Sequence, residues 1–506
     1  MVKYESVAIT NTAINLPETR IPNTHESLQS RTFYDSNGNP IRYTRGEHQG
    51  EIKPTSVIID TLKEITTISE RRIAKPNELT SDYAYRSNRK CLESSGADPN
   101  KLKYLAIAHN FGDLGQIGAK NDLVPSRGSR LKYELGIEDH SVIAYDIIAS
   151  SDDAEQVISY IASGENDLVV GRGIDSMNSR EVYGQAIRML GSGKYDQDNL
   201  TSIVVVHDPK YVPSVSEKVK EKLGIGNPGT FVYDLLFGCP GWLQLFIQSK
   251  KILKKGEKGL LNGTELLSQV SDPSDMDSLI FSDGSGSTEI IGIETDSPSG
   301  LLASYSITNA TKAFLLRMGG YYDKSRIGKE SFLHMNGPEL YKTVMDAGPK
   351  VIIEGFRRAG LSVGDINLFG VHQANGKLDA DLLGYTLKDL GIEAKKINKI
   401  YHLNSEGLKH SINPRVFAKL QTYFGEKEFY SFGEVASVYM PMSITWTGNN
   451  SVATLPILLD LLFRGEFENF IVVPGDILDL DSMGAGTSLN TGKYKVTGLE
   501  RLTLAV

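Results

Sequence analysis

The chain of 506 residues has only two cysteines, Cys91 and Cys239, and only two tryptophans. Two thiols cannot build a disulfide framework or a multi-cysteine zinc site, and usage this sparse fits a reducing compartment. Long apolar runs are missing as well. The most apolar stretch, Val452 to Phe463, carries Pro456 and Asp460 and is too short to cross a bilayer, so no membrane span is expected. Met1-Val2-Lys3-Tyr4 passes directly into a strand-like run from Ser6, without the apolar core and small-residue cleavage site of a signal peptide, so a cytoplasmic location is expected. Nor is there excess positive charge. A net charge of −8 argues against nucleic-acid binding. What is present, 40% apolar and 23% charged residues, suffices for a large core in a chain too long for one simple domain.

Of the two cysteines, Cys91 lies on a periodic helical stretch, Tyr83 to Ser94, and reads as core packing. Cys239 has a different setting. The strand-like run Thr230 to Tyr233 gives way to Phe237-Gly238-Cys239-Pro240-Gly241-Trp242 and then a helical run ending at Lys254 and Lys255. Pro240 suits a first helical position, where its missing N–H is not needed. A thiol at such a start faces unpaired backbone N–H groups and the positive end of the helix dipole, which predicts a stabilised, nucleophilic thiolate.

Two further segments carry polar residues suited to act with that thiol. Ile366 to Val371 reads as a buried strand delivering His372-Gln373-Ala374-Asn375 before a helix near Lys377. Ser443 to Thr447 reads as another strand, running into Gly448-Asn449-Asn450-Ser451 and the helix Val452 to Phe463. In an open α/β sheet, residues that follow strands gather at one edge, where ligands bind. A Cys, a His and an Asn meeting there supply a nucleophile, a proton acceptor or donor, and an oxyanion partner.

These blocks, in this order, resemble the signatures of β-ketoacyl-acyl-carrier-protein synthase III, a thiolase-fold condensing enzyme. Ser69-Glu70-Arg71-Arg72, Phe281-Ser282-Asp283-Gly284-Ser285-Gly286, Met335-Asn336-Gly337 and Met483-Gly484-Ala485-Gly486 also match family segments, and the matching blocks run from Ser6 to about Asn490. The resemblance implies an α/β, thiolase-like layered αβαβα fold of two similar halves. Here these are residues 1–290 with Cys239 and 291–506 with His372 and Asn449. It implies an acyltransferase that loads an acyl group from CoA or acyl carrier protein onto Cys239. The Cys239 N–H and the Gly484–Gly486 turn stabilise the oxyanion, while His372 and Asn449 hold the enolate left when a malonyl thioester loses CO₂. Asn336, Asn375, Arg71 and Arg72 are implied substrate-binding residues. No metal or redox cofactor is implied, a homodimer is expected, and fatty-acid or polyketide-like biosynthesis is the implied setting. The basic spots at Arg71-Arg72 and at Lys250, Lys251, Lys254 and Lys255 could face an acidic carrier protein, but read first as solvated charge. The glycine-rich Asp283 to Ser287 lacks the Gly-Lys-Ser/Thr ending of a phosphate loop and reads as a tight turn with close backbone approach.

Other outcomes stay open. A specialised-metabolite synthase or an acyltransferase would use the same trio, a cysteine hydrolase also uses Cys, His and Asn, and a non-catalytic partner subunit is hinted at only by an internal repeat.

That repeat is one of three departures from the family's length, beside insertions at 31–60 and about 394–439. Val124-Pro125-Ser126 recurs as Val212-Pro213-Ser214, Leu135-Gly136-Ile137 as Leu223-Gly224-Ile225, and Tyr145-Asp146 as Tyr233-Asp234, all offset by 88 residues (212 − 124 = 88). Residues 82–171 and 175–263 thus read as two versions of one α-β-α-β-α-β unit. Ser151 stands where Cys239 does, with Asp152-Asp153 in place of Pro240-Gly241. The first version has neither the thiol nor the proline, and reads as scaffold.

Overall fold

The computed structural model describes residues 3–502 apart from 29, 116–117, 119–121 and 327. Two sheets dominate. The first contains β1 (Tyr4–Asn15), β2 (Leu102–Ala108), β3 (Ile143–Ile148), β4 (Asp167–Val170), β5 (Ser202–His207), β6 (Phe231–Leu236), β7 (Lys258–Leu266) and β8 (Asp283–Thr295), in the order β1-β8-β7-β2-β6-β3-β5-β4. The second contains β9 (Gly300–Thr308), β10 (Leu368–Val371), β11 (Ile477–Gly484) and β12 (Ser488–Lys495), in the order β9-β12-β11-β10. The central strands are buried on both faces, which is why β6 reads Phe-Val-Tyr-Asp-Leu-Leu with little alternation.

The helices used below are α1 (Thr80–Ser95), α2 (Arg127–Glu134), α3 (Ser151–Ile161), α4 (Ser179–Gly191), α5 (Val215–Lys222), α6 (Gly241–Ile252), α7 (Gly337–Ala359), α8 (Gly376–Asp389) and α9 (Thr454–Phe463). Helices α6 and α9 lie between the two sheets, each touching strands of both. Every residue of α9 is buried, so its sequence is apolar all round, with the Asp460 carboxylate held by Arg464. α1 and α5 cover the outer face of the first sheet, and α7 that of the second, giving five α-β-α-β-α layers. The fold is the thiolase-like arrangement that the sequence blocks imply. One large apolar cluster, including Trp242, Phe246, Leu458 and Leu480, joins the central helices to both sheets.

Residues 82–171 contribute α1-β2-α2-β3-α3-β4, and residues 175–263 contribute α4-β5-α5-β6-α6-β7. The segment 394–439 folds into short strands and helices whose apolar side chains, Leu403, Leu420, Phe432 and Tyr439 among them, join the cluster of the second half. Residues 31–60 form a lobe with isolated bridges Tyr34–Pro40 and Arg42–Ile52, followed by the helix Thr55–Thr66.

Two local expectations are corrected. Ser443 to Thr447 is not a strand but a single helical turn, Ile444–Thr447. Its β-branched and aromatic residues suit a strand, but the Gln373 side chain accepts hydrogen bonds from the backbone N–H groups of Ser443 and Ile444 and fixes the turn. Asp283 to Ser287 is not a turn but the start of β8. Close approach is still what its glycines serve: a Cβ on Gly286 would lie 2.7 Å from the Pro456 side chain of α9.

Candidate active site

β6 ends at Leu236, and α6 begins at Gly241 with Pro240 as its N-cap, so Cys239 sits in the turn just ahead of the helix. The turn needs glycine. Gly238 has φ +68°, and a Cβ there would sit 2.7 Å from the Ala485 backbone nitrogen. From the other side, a Cβ on Gly484 would come within 2.5 Å of the Cys239 backbone nitrogen. The Gly484-Ala485-Gly486 turn, linking β11 to β12, is thereby pressed against the Cys239 backbone.

His372 follows β10, its backbone N–H donating to the Asp481 carbonyl of β11 at 2.8 Å. Its Nδ1 lies 2.5 Å from Thr454 Oγ1, and Thr454 Oγ1 also lies 2.9 Å from the Ser451 carbonyl. Burial pushes the imidazole down to about 3, so it is neutral at any working pH. Asn449 has no strand of its own. Its backbone bridges to the 280–282 segment, its Oδ1 accepts from the Ser451 N–H at 2.9 Å, and its Nδ2 donates to the Ala374 carbonyl at 3.3 Å, leaving one amide hydrogen free to act.

Cys239, His372, Asn449, Gly484 and Asn375 line one narrow cavity of about 70 Å³, walled by Phe111, Val124, Leu267, Phe281, Leu316 and Leu333. The Asn375 side chain caps α8 by accepting from Leu378 N–H, and Asn336 caps α7 by accepting from Glu339 N–H. Asn336 borders a second, wider cavity of about 710 Å³, which adjoins the first at Met335 and is partly walled by Tyr34, Ile41, Arg42 and Lys53 of the 31–60 lobe.

Arg71 and Arg72 are not an exposed basic spot. Both are buried; Arg71 donates to Asn23 Oδ1 and the Ser278 carbonyl, Arg72 to the Trp446 and Pro17 carbonyls, and neither lines the Cys239 cavity. They tie the 278–282 segment and the 444–447 turn into place around Asn449. Cys91 is fully buried in α1, where burial raises its thiol far above the usual range.

The expectation of a stabilised thiolate is also corrected. Burial pushes the Cys239 thiol up to about 11, from 9. At about 1.4 kcal/mol per pH unit this is about 3 kcal/mol, more than the roughly 0.3–2 kcal/mol a helix terminus supplies. Cys239 therefore rests as a thiol. Its Sγ lies 3.4 Å from Ser451 Oγ, Asn110 Nδ2 donates to that same oxygen at 3.2 Å, and Glu265 Oε2 accepts from Asn110 Nδ2 at 2.8 Å. Ser451 has φ +53°, a conformation non-glycine residues rarely adopt and one found here beside Cys239. Asn110 and Glu265 were not singled out by sequence. Their signal is positional only: Asn110 leaves β2 at the same sheet edge as Cys239.

Cysteine, histidine and asparagine thus converge on one apolar cavity of a thiolase-like fold, the arrangement that the sequence blocks imply. No family model matches the chain. It is similar to β-ketoacyl-[acyl-carrier-protein] synthase III of Campylobacter curvus, 28% identical over 199 residues, or 38% of this chain and 58% of that protein. It is also similar to the synthase III of Clostridium perfringens, 26% identical over 247 residues, or 47% of this chain and 70% of that one. These matches thus span 58 to 70% of the relatives' lengths. Among solved structures, the 3-oxoacyl-[acyl-carrier-protein] synthase III of Aquifex aeolicus shares the fold at TM-score 0.52 and 16% identity, covering 97% of this chain and all (100%) of that one. A priming β-ketosynthase of a polyketide biosynthetic pathway does so at TM-score 0.54 and 15% identity, covering 97% and 96%. Among the described residues, no helix is long and apolar enough to cross a membrane, and no cluster of metal-ligating side chains occurs.

Proposed function

We propose that the chain joins an acyl group to a malonyl thioester by decarboxylative Claisen condensation, with the acyl group carried on Cys239. The observation that carries this reading is the single cavity in which Cys239, His372 and Asn449 meet, with the Gly484–Gly486 turn against the Cys239 backbone. The acyl thioester's sulfur-linked arm lies in the wider cavity, and its acyl chain among Phe111, Leu316 and Leu333. Cys239 Sγ attacks the carbonyl, and the oxyanion forms against the Cys239 N–H and the glycine turn. The thiol proton passes to the departing thiol, so the first half-reaction is neutral overall.

A malonyl thioester then replaces the product. Its C–C bond breaks, CO₂ leaves, and the bonding pair becomes an enolate held by His372 Nε2–H and the free Asn449 Nδ2 hydrogen. The carbanion attacks the acyl carbon, and Cys239 departs and recovers a proton. A neutral imidazole is suited to this step, because it donates a hydrogen bond without quenching the carbanion. Thr454 makes both imidazole tautomers possible. When its hydroxyl donates to the Ser451 carbonyl, it accepts from Nδ1–H and leaves Nε2 free to accept the Cys239 proton. When the hydroxyl turns toward Nδ1, the ring proton moves to Nε2 and faces the enolate.

The test separates the half-reactions. His372→Ala and Asn449→Ala should still take up an acyl group, read by intact mass, while CO₂ release from malonyl thioester falls about a hundredfold to a thousandfold. Undiminished CO₂ release in both variants overturns the proposal. Product analysis with malonyl and non-malonyl acceptors separates carbon–carbon bond formation from acyl transfer to oxygen or nitrogen.

A further inference from the structure

The first sheet contains a palindrome. Shifting by 88 residues carries β3 onto β6, and the two units align as β2 with β5, β3 with β6 and β4 with β7. The six strands stand in the order β7-β2-β6-β3-β5-β4, which reads the same when reversed and exchanged between units. At its centre β6 and β3 run antiparallel, pairing Asp146 with Leu236, Ile147 with Leu235 and Ile148 with Asp234. Adding 88 to 146, 147 and 148 gives 234, 235 and 236, so the outer pairs exchange and Ile147–Leu235 maps onto itself. That is the self-complementary contact of a two-fold axis, here between two parts of one chain.

The surroundings obey the same rule. Asp146 accepts from the backbone N–H groups of Arg127 and Gly128 at 2.7 Å each, and Asp234 from those of Val215 and Ser216 at 2.8 and 2.7 Å. His207 faces Asp146 at 3.1 Å, and His109 faces Asp234 at 3.7 Å. The connections cross the axis. α2 follows β2 but packs on β3 and β5, while α5 follows β5 but packs on β6 and β2. The outgoing connection brings Phe111 and Val124 into the wall of the Cys239 cavity; on the return connection, Val212 joins a separate cluster with Leu123, Ile148 and Leu236.

We infer that β3, β5 and β4, strands drawn from both units, occupy the place a second copy of the chain would take in an edge-to-edge pair, so that one chain seals the β6 edge and completes the catalytic cavity by itself. An open β6 would present a fully buried-type strand with unpaired backbone groups, a ready template for pairing. Here β3 takes that place, and the sheet instead ends at β4, whose four residues make a poor template for another copy. The monomer replaces the homodimer expected from resemblance, and this accounts for why the unit is doubled.

Two measurements test the inference without relying on the proposed reaction. Sedimentation equilibrium of the full chain should give 55.5 kDa at every dilution; a two-chain particle overturns it. In an Ile147→Cys, Leu235→Cys variant, the paired strands hold the new thiols within disulfide reach. Oxidation should then cross-link within a chain, leaving monomer-sized protein on a non-reducing gel, whereas cross-linked dimers mean that the seam forms between chains and overturn the inference. If the parent chain takes up no acyl group from any thioester, the condensing reading fails while both measurements still decide this one.

Discussion

The turn after β3 and the turn after β6 are equivalent by the 88-residue shift, yet only the second is enclosed by the other half of the molecule and lines the narrow cavity. After β3, Ser150 caps α3 by accepting from Asp153 N–H at 3.3 Å, and Ser151 and Asp152 are exposed. After β6, Gly238 takes a left-handed conformation, Cys239 follows, and the β11–β12 turn presses on both. The difference lies in what stands opposite. The second unit faces the other half of the molecule, which brings Ser451, His372 and the glycine turn; the first unit has an ordinary capped helix start. A strand-turn-helix of this kind is a generic scaffold, and it becomes a site only where a second layer closes over the turn.

Breaking the comparison at its strongest point means removing the thiol. Cys239→Ser should abolish acyl uptake and Cys91→Ser should leave it intact, because Cys91 has no access to substrate. Intact mass with peptide mapping decides it, and acylation at Cys91 would reverse the assignment.

The next contrast is between the turns themselves. Gly238→Ala forces a Cβ against the Ala485 backbone at a left-handed φ and should cost about 2–3 kcal/mol in urea unfolding. Ser150→Ala removes only a cap, about 1 kcal/mol. Equal losses would mean that the β6 turn is not held more tightly than its counterpart.

Glu265 sharpens the comparison through pH. Burial raises its carboxyl from 4.5 to about 7, against the opposing influence of His109 and the Asn110 hydrogen bonds. The folded state then binds this proton more tightly than the unfolded one, so stability falls as pH rises from about 4.5 to about 7 and stays reduced above. At about 1.36 kcal/mol per pH unit the effect is about 3 kcal/mol. Glu265→Gln removes that titration, so its stability relative to the parent should improve by about this amount between pH 4 and pH 8, in denaturant titrations at each pH. A constant difference across the range would show that the Glu265 carboxyl is not raised.

The smallest effect is expected in the first unit. Ser151→Ala should leave turnover within about twofold of the parent, as for a surface change outside any named mechanism of damage. Loss of turnover with an unchanged circular dichroism spectrum would give that turn a role the comparison denies it.

What the sequence by itself determined is the chemistry written in short segments. The strand ahead of Cys239, the Pro240 helix start, the strand and helix around His372, the core position of Cys91 and the 88-residue repeat were all legible, because capping, periodicity and turn residues act over a few positions. Only the tertiary structure decided the rest. Ser443 to Thr447 is a helical turn because Gln373, seventy residues away, accepts its backbone hydrogen bonds. Cys239 is a thiol because burial outweighs the helix terminus, and Arg71 and Arg72 are internal struts because segments distant in sequence enclose them. The pairing of Ile147 with Leu235 was not legible either: an offset of 88 residues says that two units are alike, but whether their edges meet depends on how the chain crosses between them.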